Sequence, residues 1–206
     1  MDVTGLIIRS VDYGEADKIL TLATGEGLLT VRVKGVRKAS ARLKSVTGLL
    51  VFGEFSLSQG KNGYILSGVS AKEQFLNCWT DSARYASALL CTEIYEKCLS
   101  AGEELSFPNL IKTLGEINYG EVYPLATALQ YGVKVASECG IDITEGVFPE
   151  DVSAIFSALS KVADPISCLA DCSEREIKNL IKHLEAGFRS ELGLKLTVSG
   201  KIFNMD

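Results

Sequence analysis

The hydrophobic period changes once along this chain, near residue 72, and that change constrains the fold more than any other feature. Before it, apolar residues recur at every second position in short runs, as half-buried strands require; from Phe75 onward they recur at helical spacing. A strand-built module followed by a helix-built one is an α+β chain. At 206 residues, with 47% hydrophobic content, each part is large enough to bury a core. The expected division is 1–72 and 73–206.

Charge divides at the same place. Residues 1–72 carry ten Lys and Arg against six Asp and Glu, and residues 73–206 carry eleven against twenty, so a formal net charge of -5 hides a basic module joined to an acidic one. Six of the ten cations of the basic module lie in residues 30–45, TVRVKGVRKASARLKS, where Arg32, Lys34, Arg37, Lys38, Arg42 and Lys44 occur without a carboxylate. Alternation turns Val31 and Val33 toward a core and Arg32 and Lys34 toward solvent. Gly35 ends the strand, and the rest reads as a loop or short helical turn. Long cationic side chains on such a loop suit a phosphate backbone, since each neutralises a charge and releases counterions. The bland alternative is a solvated face.

Strands are expected over residues 6–11, 18–23, 28–34, 49–58 and 64–70, with Gly53 a candidate bulge and Asn62-Gly63 a tight-turn pair. Five short strands with a longer excursion between the third and fourth match the Greek-key barrel called the OB-fold, which binds oligonucleotides on the face of strands two and three. Tyr13 and Tyr64, at loop edges, are candidates for base stacking or for rim packing. The acidic half reads as all-helical, with helices over 76–99, a segment capped by Ser106 with Pro108 in its first turn, 122–139, 149–162 and 173–192; Ser173 and Glu176 form a capping box. Its acidic surface suits protein docking better than a second nucleic-acid face.

Catalytic constellations are hard to assemble, and no enzymatic activity is expected. The single histidine, His183, lies mid-helix and reads as a surface residue. Gly25-Glu26-Gly27 lacks the later residues of a phosphate-binding loop and is turn chemistry. Cys168 and Cys172 are one close pair where a structural zinc site shows two, so no cofactor is expected; Cys139, Cys168 and Cys172 are the residues zinc would use. The opening MDVTGLIIRS has no apolar run of signal-peptide length and nothing downstream approaches a membrane span, so a cytoplasmic location is expected. A disulfide framework is not expected there.

Three segments, GLIIRSVDYGEADKILTLAT, VRVKGVRKASARLKS and LLVFGEFSLSQG, resemble in order and spacing the N-terminal domain of the RecO family of bacterial recombination mediators. The C-terminal LIKHLEAGFRSELGLKLTVSGKIF is more loosely similar to the family's last helix. The resemblance implies an OB-fold followed by a helical domain, binding of single- and double-stranded DNA, strand annealing, and cooperation with RecR to place RecA on DNA coated by single-strand-binding protein (SSB). It makes Arg32, Lys34, Arg37, Lys38, Arg42 and Lys44, together with Arg9, DNA-contact candidates. Gly35, Tyr13, Gly14, Glu15 and Asp17 would define the fold, with Glu15 and Asp17 repelling phosphate. It also implies an SSB-tail site in the helical domain, for which Lys178, Lys182 and Arg189 on the last long helix are the candidate rim. Many members carry a four-cysteine zinc finger after the central helix. Here Cys139-Gly140-Ile141-Asp142 and a short segment to Phe148 stand in its place, so that insert is expected to be lost or reduced. The rival readings are a protein adaptor whose barrel binds peptide and a hydrolase in the carboxylate-rich half.

Overall fold

The structure is a computed structural model that describes residues 1–38, 41, 43–61, 63–121, 123–142, 148–198 and 202. Arg42 and Asn62, both singled out in the sequence, lie outside the described residues, as do Val122 and most of the segment before Phe148. The chain forms two compact units, Met1–Phe75 and Leu76–Asp206.

The first unit is a closed five-stranded barrel. Its strands are β1 (Asp2–Tyr13), β2 (Asp17–Thr24), β3 (Gly27–Val33), β4 (Phe52–Gly60) and β5 (Gly63–Glu73), in the spatial order β1-β2-β3-β5-β4. β1 pairs antiparallel with both β2 and β4, and a short parallel contact, Val31 to Tyr64 and Arg32 to Ile65, closes β3 onto β5. That connectivity is the OB-fold.

β1 runs four residues earlier than its own alternation predicts, because Asp2 to Leu6 pair with Ser56 to Phe52 of β4, a long-range ladder that local pattern does not reveal. β4 starts at Phe52 rather than residue 49, since Leu50 at φ 60 still belongs to the turn. Gly53 does mark a bulge: the β4–β5 register shifts there, and a Cβ would strike the Ser70 carbonyl oxygen.

Ile7, Leu20, Leu22, Val31, Val33, Phe55 and Leu57 fill the barrel from four strands, with Val36 sealing it from the loop beyond β3. Each such side chain contributes roughly 1.5–3 kcal/mol on burial. The alternation of β3 is thereby fixed: with Val31 and Val33 inside, Arg32 and Lys34 must face outward.

The second unit is helical: α1 (Asn77–Thr80), α2 (Ser82–Ser100), α3 (Phe107–Tyr119), α4 (Pro124–Glu138), α5 (Glu150–Lys161), α6 (Ile166–Leu169) and α7 (Glu174–Leu192). The single helix expected over residues 76–99 is two. Asp81 is extended, at φ -129 and ψ 122, and its carboxylate accepts from the Arg84 N–H at 2.8 Å, capping α2 where a continuous apolar pattern hides the break. Asn118 holds α1 apart by accepting the Cys78 N–H at 3.2 Å on its side chain. The short α6 is not foreshadowed by any period, being only four residues long.

α4 is the centre of this unit, packed by α2, α3, α5 and α7 and buried over most of its length. Gly132 lets α4 approach closely, since a Cβ there would lie 2.5 Å from Leu184 of α7 and 3.1 Å from Ile94 of α2. Ser173 and Glu176 form the expected capping box of α7, and Gly193 at φ 68 ends it. Among the described residues no helix is long and apolar enough to cross a membrane.

Candidate nucleic-acid interface

Strand register decides what shares the outer face of the barrel. Arg32 of β3 stands opposite Ile19 of β2 and Ile65 of β5, and Ile19 stands opposite Val11 of β1. Opposed residues project to the same side, so Val11, Ile19, Arg32 and Ile65 form one row across four strands. Val11 and Tyr13 are about half exposed, at 52% and 51%, an unusual apolar cost for a barrel exterior. A groove of about 260 Å³ opens along this row, lined by Arg32, Lys34 and Lys61 on the charged side and by Tyr13, Tyr64, Ile19 and Ile65 on the apolar side. Cations interleaved with aromatic and aliphatic surface suit a single strand, whose phosphates need charge and whose bases need flat apolar contact.

The five described cations of the basic stretch fall into two groups. Both described arginines are tied down. Arg32 Nε donates to Asp17 Oδ2 at 2.8 Å, its Nη2 lies 2.6 Å from the same oxygen, and its guanidinium sits over the Tyr13 ring at 5.0 Å from the centroid. Arg37 pairs with Asp12 at 3.2 Å and donates through Nη1 to the Gly14 carbonyl at 2.9 Å, while its own N–H donates to Ala16. Lys34, Lys38 and Lys44 are exposed and make no ion pair among the described residues. Arginine's rigid fork suits the fixed role and lysine's flexible stem the open one.

Asp17 is the hinge of this arrangement, where the sequence suggests only repulsion of phosphate. Its Oδ1 accepts the Gly35 N–H at 2.8 Å while Oδ2 takes Arg32. The Gly35 hydrogen bond first, and Arg32 next, hold its carboxyl below the ordinary range, with burial opposing. Gly35, at φ 66, takes the left-handed turn that lets the chain leave β3 with the lysines pointing outward. Arg9 is exposed on β1 next to the register shift that follows Ile7, opposite Thr21 and away from the groove lining. Lys61, in the β4–β5 turn, is a groove cation outside the basic stretch, standing alone in sequence and so carrying no charge-run signal.

Residues 1–75 match the family model described as recombination protein O N terminal, the same span as the compact barrel unit. The chain's N-terminal domain is similar to that of the RecO family. The chain is similar to the DNA repair protein RecO of Shouchella clausii, 34% identical over 119 residues, 56% of this chain and 46% of that protein. It is also similar to the proteins of the same name from Desulfitobacterium hafniense, at 34% over 99 residues, 48% of this chain and 36% of that one, and Heliobacterium modesticaldum, at 37% over 93 residues, 45% and 34%. Each match spans less than half the length of the relative.

Outside the barrel, the helical candidates fare differently. Lys178 is largely buried, with its side chain 16% exposed, and pairs with Glu174 at 3.0 Å; Arg189 pairs with Glu185 at 2.7 Å; Lys182 is exposed. Lys178 and Arg189 thus each meet a carboxylate of α7 itself. None of them lines the polar cleft of about 120 Å³ between α3 and α4, where Lys134 and Gln130 donate to the Val162 carbonyl and so cap α5. His183 is half-buried on α7. All six cysteines are free thiols, and burial raises those of Cys91, Cys98, Cys139 and Cys172. Among the described residues no group of three or more His, Cys, Asp or Glu is placed to hold a metal.

Proposed function

We propose that this chain is a DNA-binding recombination mediator and strand-annealing factor of DNA repair, of the RecO type, acting in the cytoplasm by charge neutralisation and without catalytic residues. The observation that carries the reading is the groove on the β2–β3 face, where Lys34 and Lys61 accompany the exposed Tyr13 and the half-buried Ile19 and Ile65, with Lys38 and Lys44 exposed in the segment that follows β3. The relatives named DNA repair protein RecO support the same assignment. Annealing follows from screening the repulsion between two phosphate backbones on one cationic surface. Loading of RecA with RecR, and docking of the acidic SSB tail at Lys178, Lys182 and Arg189, extend the proposal to the helical unit.

The direct test is binding of fluorescent single- and double-stranded oligonucleotides, followed by annealing of complementary strands with and without added SSB. Salt-sensitive binding with accelerated annealing supports the reading; an inert protein removes it. Binding of a peptide with the SSB tail sequence, compared with Lys182→Glu, tests the partner site separately.

A further inference from the structure

The contacts of Arg32 distinguish it from every lysine in the groove. Its charge is met by the Asp17 carboxylate through Nε and Nη2, and its guanidinium lies over the Tyr13 ring, yet 43% of its side chain stays exposed and lines the groove. A cation already paired to a carboxylate at 2.6 Å has little to gain from a phosphate, which would have to displace Asp17. A planar group held in one orientation over an aromatic ring has a different use: it extends the ring into a layered platform on which a nucleobase can stack. Asp17 is itself fixed by the Gly35 N–H at 2.8 Å, so the platform has an anchored base. Next to it on the same face lie Ile19 and Ile65, the aliphatic floor a base would cover, and Lys34 and Lys61, where adjacent phosphates would sit.

We infer that Arg32, layered on Tyr13 and held by Asp17, is a base-contacting residue of the groove and that Lys34 and Lys61 are its phosphate contacts, so that the groove takes unpaired nucleotides. This rests on the nucleic-acid reading of the barrel and deepens it by dividing the groove into a base contact, Arg32 on Tyr13, and phosphate contacts, Lys34 and Lys61. A duplex, with its bases turned inward, meets only the lysines.

The experiment compares two strands of equal length, one of thymidine and one of abasic tetrahydrofuran residues, which carry the same phosphates without bases. Affinity and salt slope are measured for the wild type, Arg32→Lys, Tyr13→Leu and Lys61→Ala. Arg32→Lys keeps the charge and loses the plane; it should weaken thymidine binding about tenfold and leave the abasic strand unchanged. Tyr13→Leu should do the same without touching the ion pair. Lys61→Ala should weaken both strands alike and flatten the slope by about 0.7. Loss on both strands from Arg32→Lys in a variant that melts with the wild type, or no loss on either, overturns the inference. If Arg32→Lys melts early, the same two outcomes in Tyr13→Leu decide it. A wild type that binds neither strand refutes the nucleic-acid reading instead, which separates the two failures.

Discussion

Asp17 and Arg32 are joined through a single oxygen: Oδ2 accepts from Nε at 2.8 Å and lies 2.6 Å from Nη2, leaving Oδ1 for the Gly35 N–H. One carboxylate therefore sets both the orientation of a groove cation and the turn from which the basic loop departs. Charge in the loop is consequently not uniform, since the two described arginines are built into the fold and the lysines remain available to a ligand.

This division predicts unequal effects of removing cations. Lys34→Ala and Lys61→Ala should each flatten the log-log salt dependence of oligonucleotide binding by about 0.7, the single-strand coefficient per phosphate contact. Arg37→Ala should instead lower thermal stability with a smaller change in slope, because it breaks the Asp12 and Gly14 contacts. Salt titrations beside melting curves separate the two behaviours.

Asp17 should make barrel stability depend on pH in one direction. Its folded carboxyl is held below the ordinary value of 3.8, so its contribution is fully present above that pH and is lost as pH falls through the lowered folded value. Asp17→Asn should therefore melt below the wild type at neutral pH, with the gap closing as pH drops under 3.8. A gap that stays constant through this window would show that the effect is not ionic.

Two glycines should differ in what they tolerate. Gly53→Ala drives a methyl into the Ser70 backbone, which has no rotamer to change, and should cost about 1–3 kcal/mol or more. Gly132→Ala meets only the ends of Leu184 and Ile94, and alanine recovers about 1 kcal/mol of helix propensity, so its net cost should be smaller. Urea denaturation of both variants gives the ranking.

In the helical unit, Glu93 of α2 is almost fully buried and accepts the Thr197 and Val198 N–H groups at 2.8 and 2.7 Å and the Thr197 hydroxyl at 2.5 Å, with Lys97 at 3.0 Å. Burial opposes its charge, but these hydrogen bonds outweigh it and hold the carboxyl below its ordinary value. Glu93→Ala should cost about 3 kcal/mol and release the chain after Gly193. Hydrogen exchange should then speed up at Thr197 and Val198.

The barrel was legible in sequence where a local pattern had one physical reading. Alternation turned Val31 and Val33 inward, Gly53 stood out as a candidate bulge in an otherwise regular strand, and Ser173 with Glu176 marked a helix start. The basic stretch was legible as charge but not as chemistry. Whether an arginine is free depends on a carboxylate such as Asp17, fifteen positions before Arg32, which strand pairing brings within 3 Å. Lys61 escaped for the opposite reason: it reaches the groove only because β5 closes on β3 at Tyr64 and Ile65. Asp81 broke a helix that apolar spacing carried straight through it, since one cap outweighs periodicity over a single turn.

The central claim, nucleic acid held on the lysines of the barrel groove and its loop, is tested most directly by the salt dependence of single-strand binding for the wild type and Lys34→Ala/Lys61→Ala. Lys34, Lys38, Lys44 and Lys61 acting as four phosphate contacts give a log-log slope of about -3, and the double variant should bring it to about -1.5. Weak binding without salt dependence, or a slope that the double variant leaves unchanged, would contradict the account.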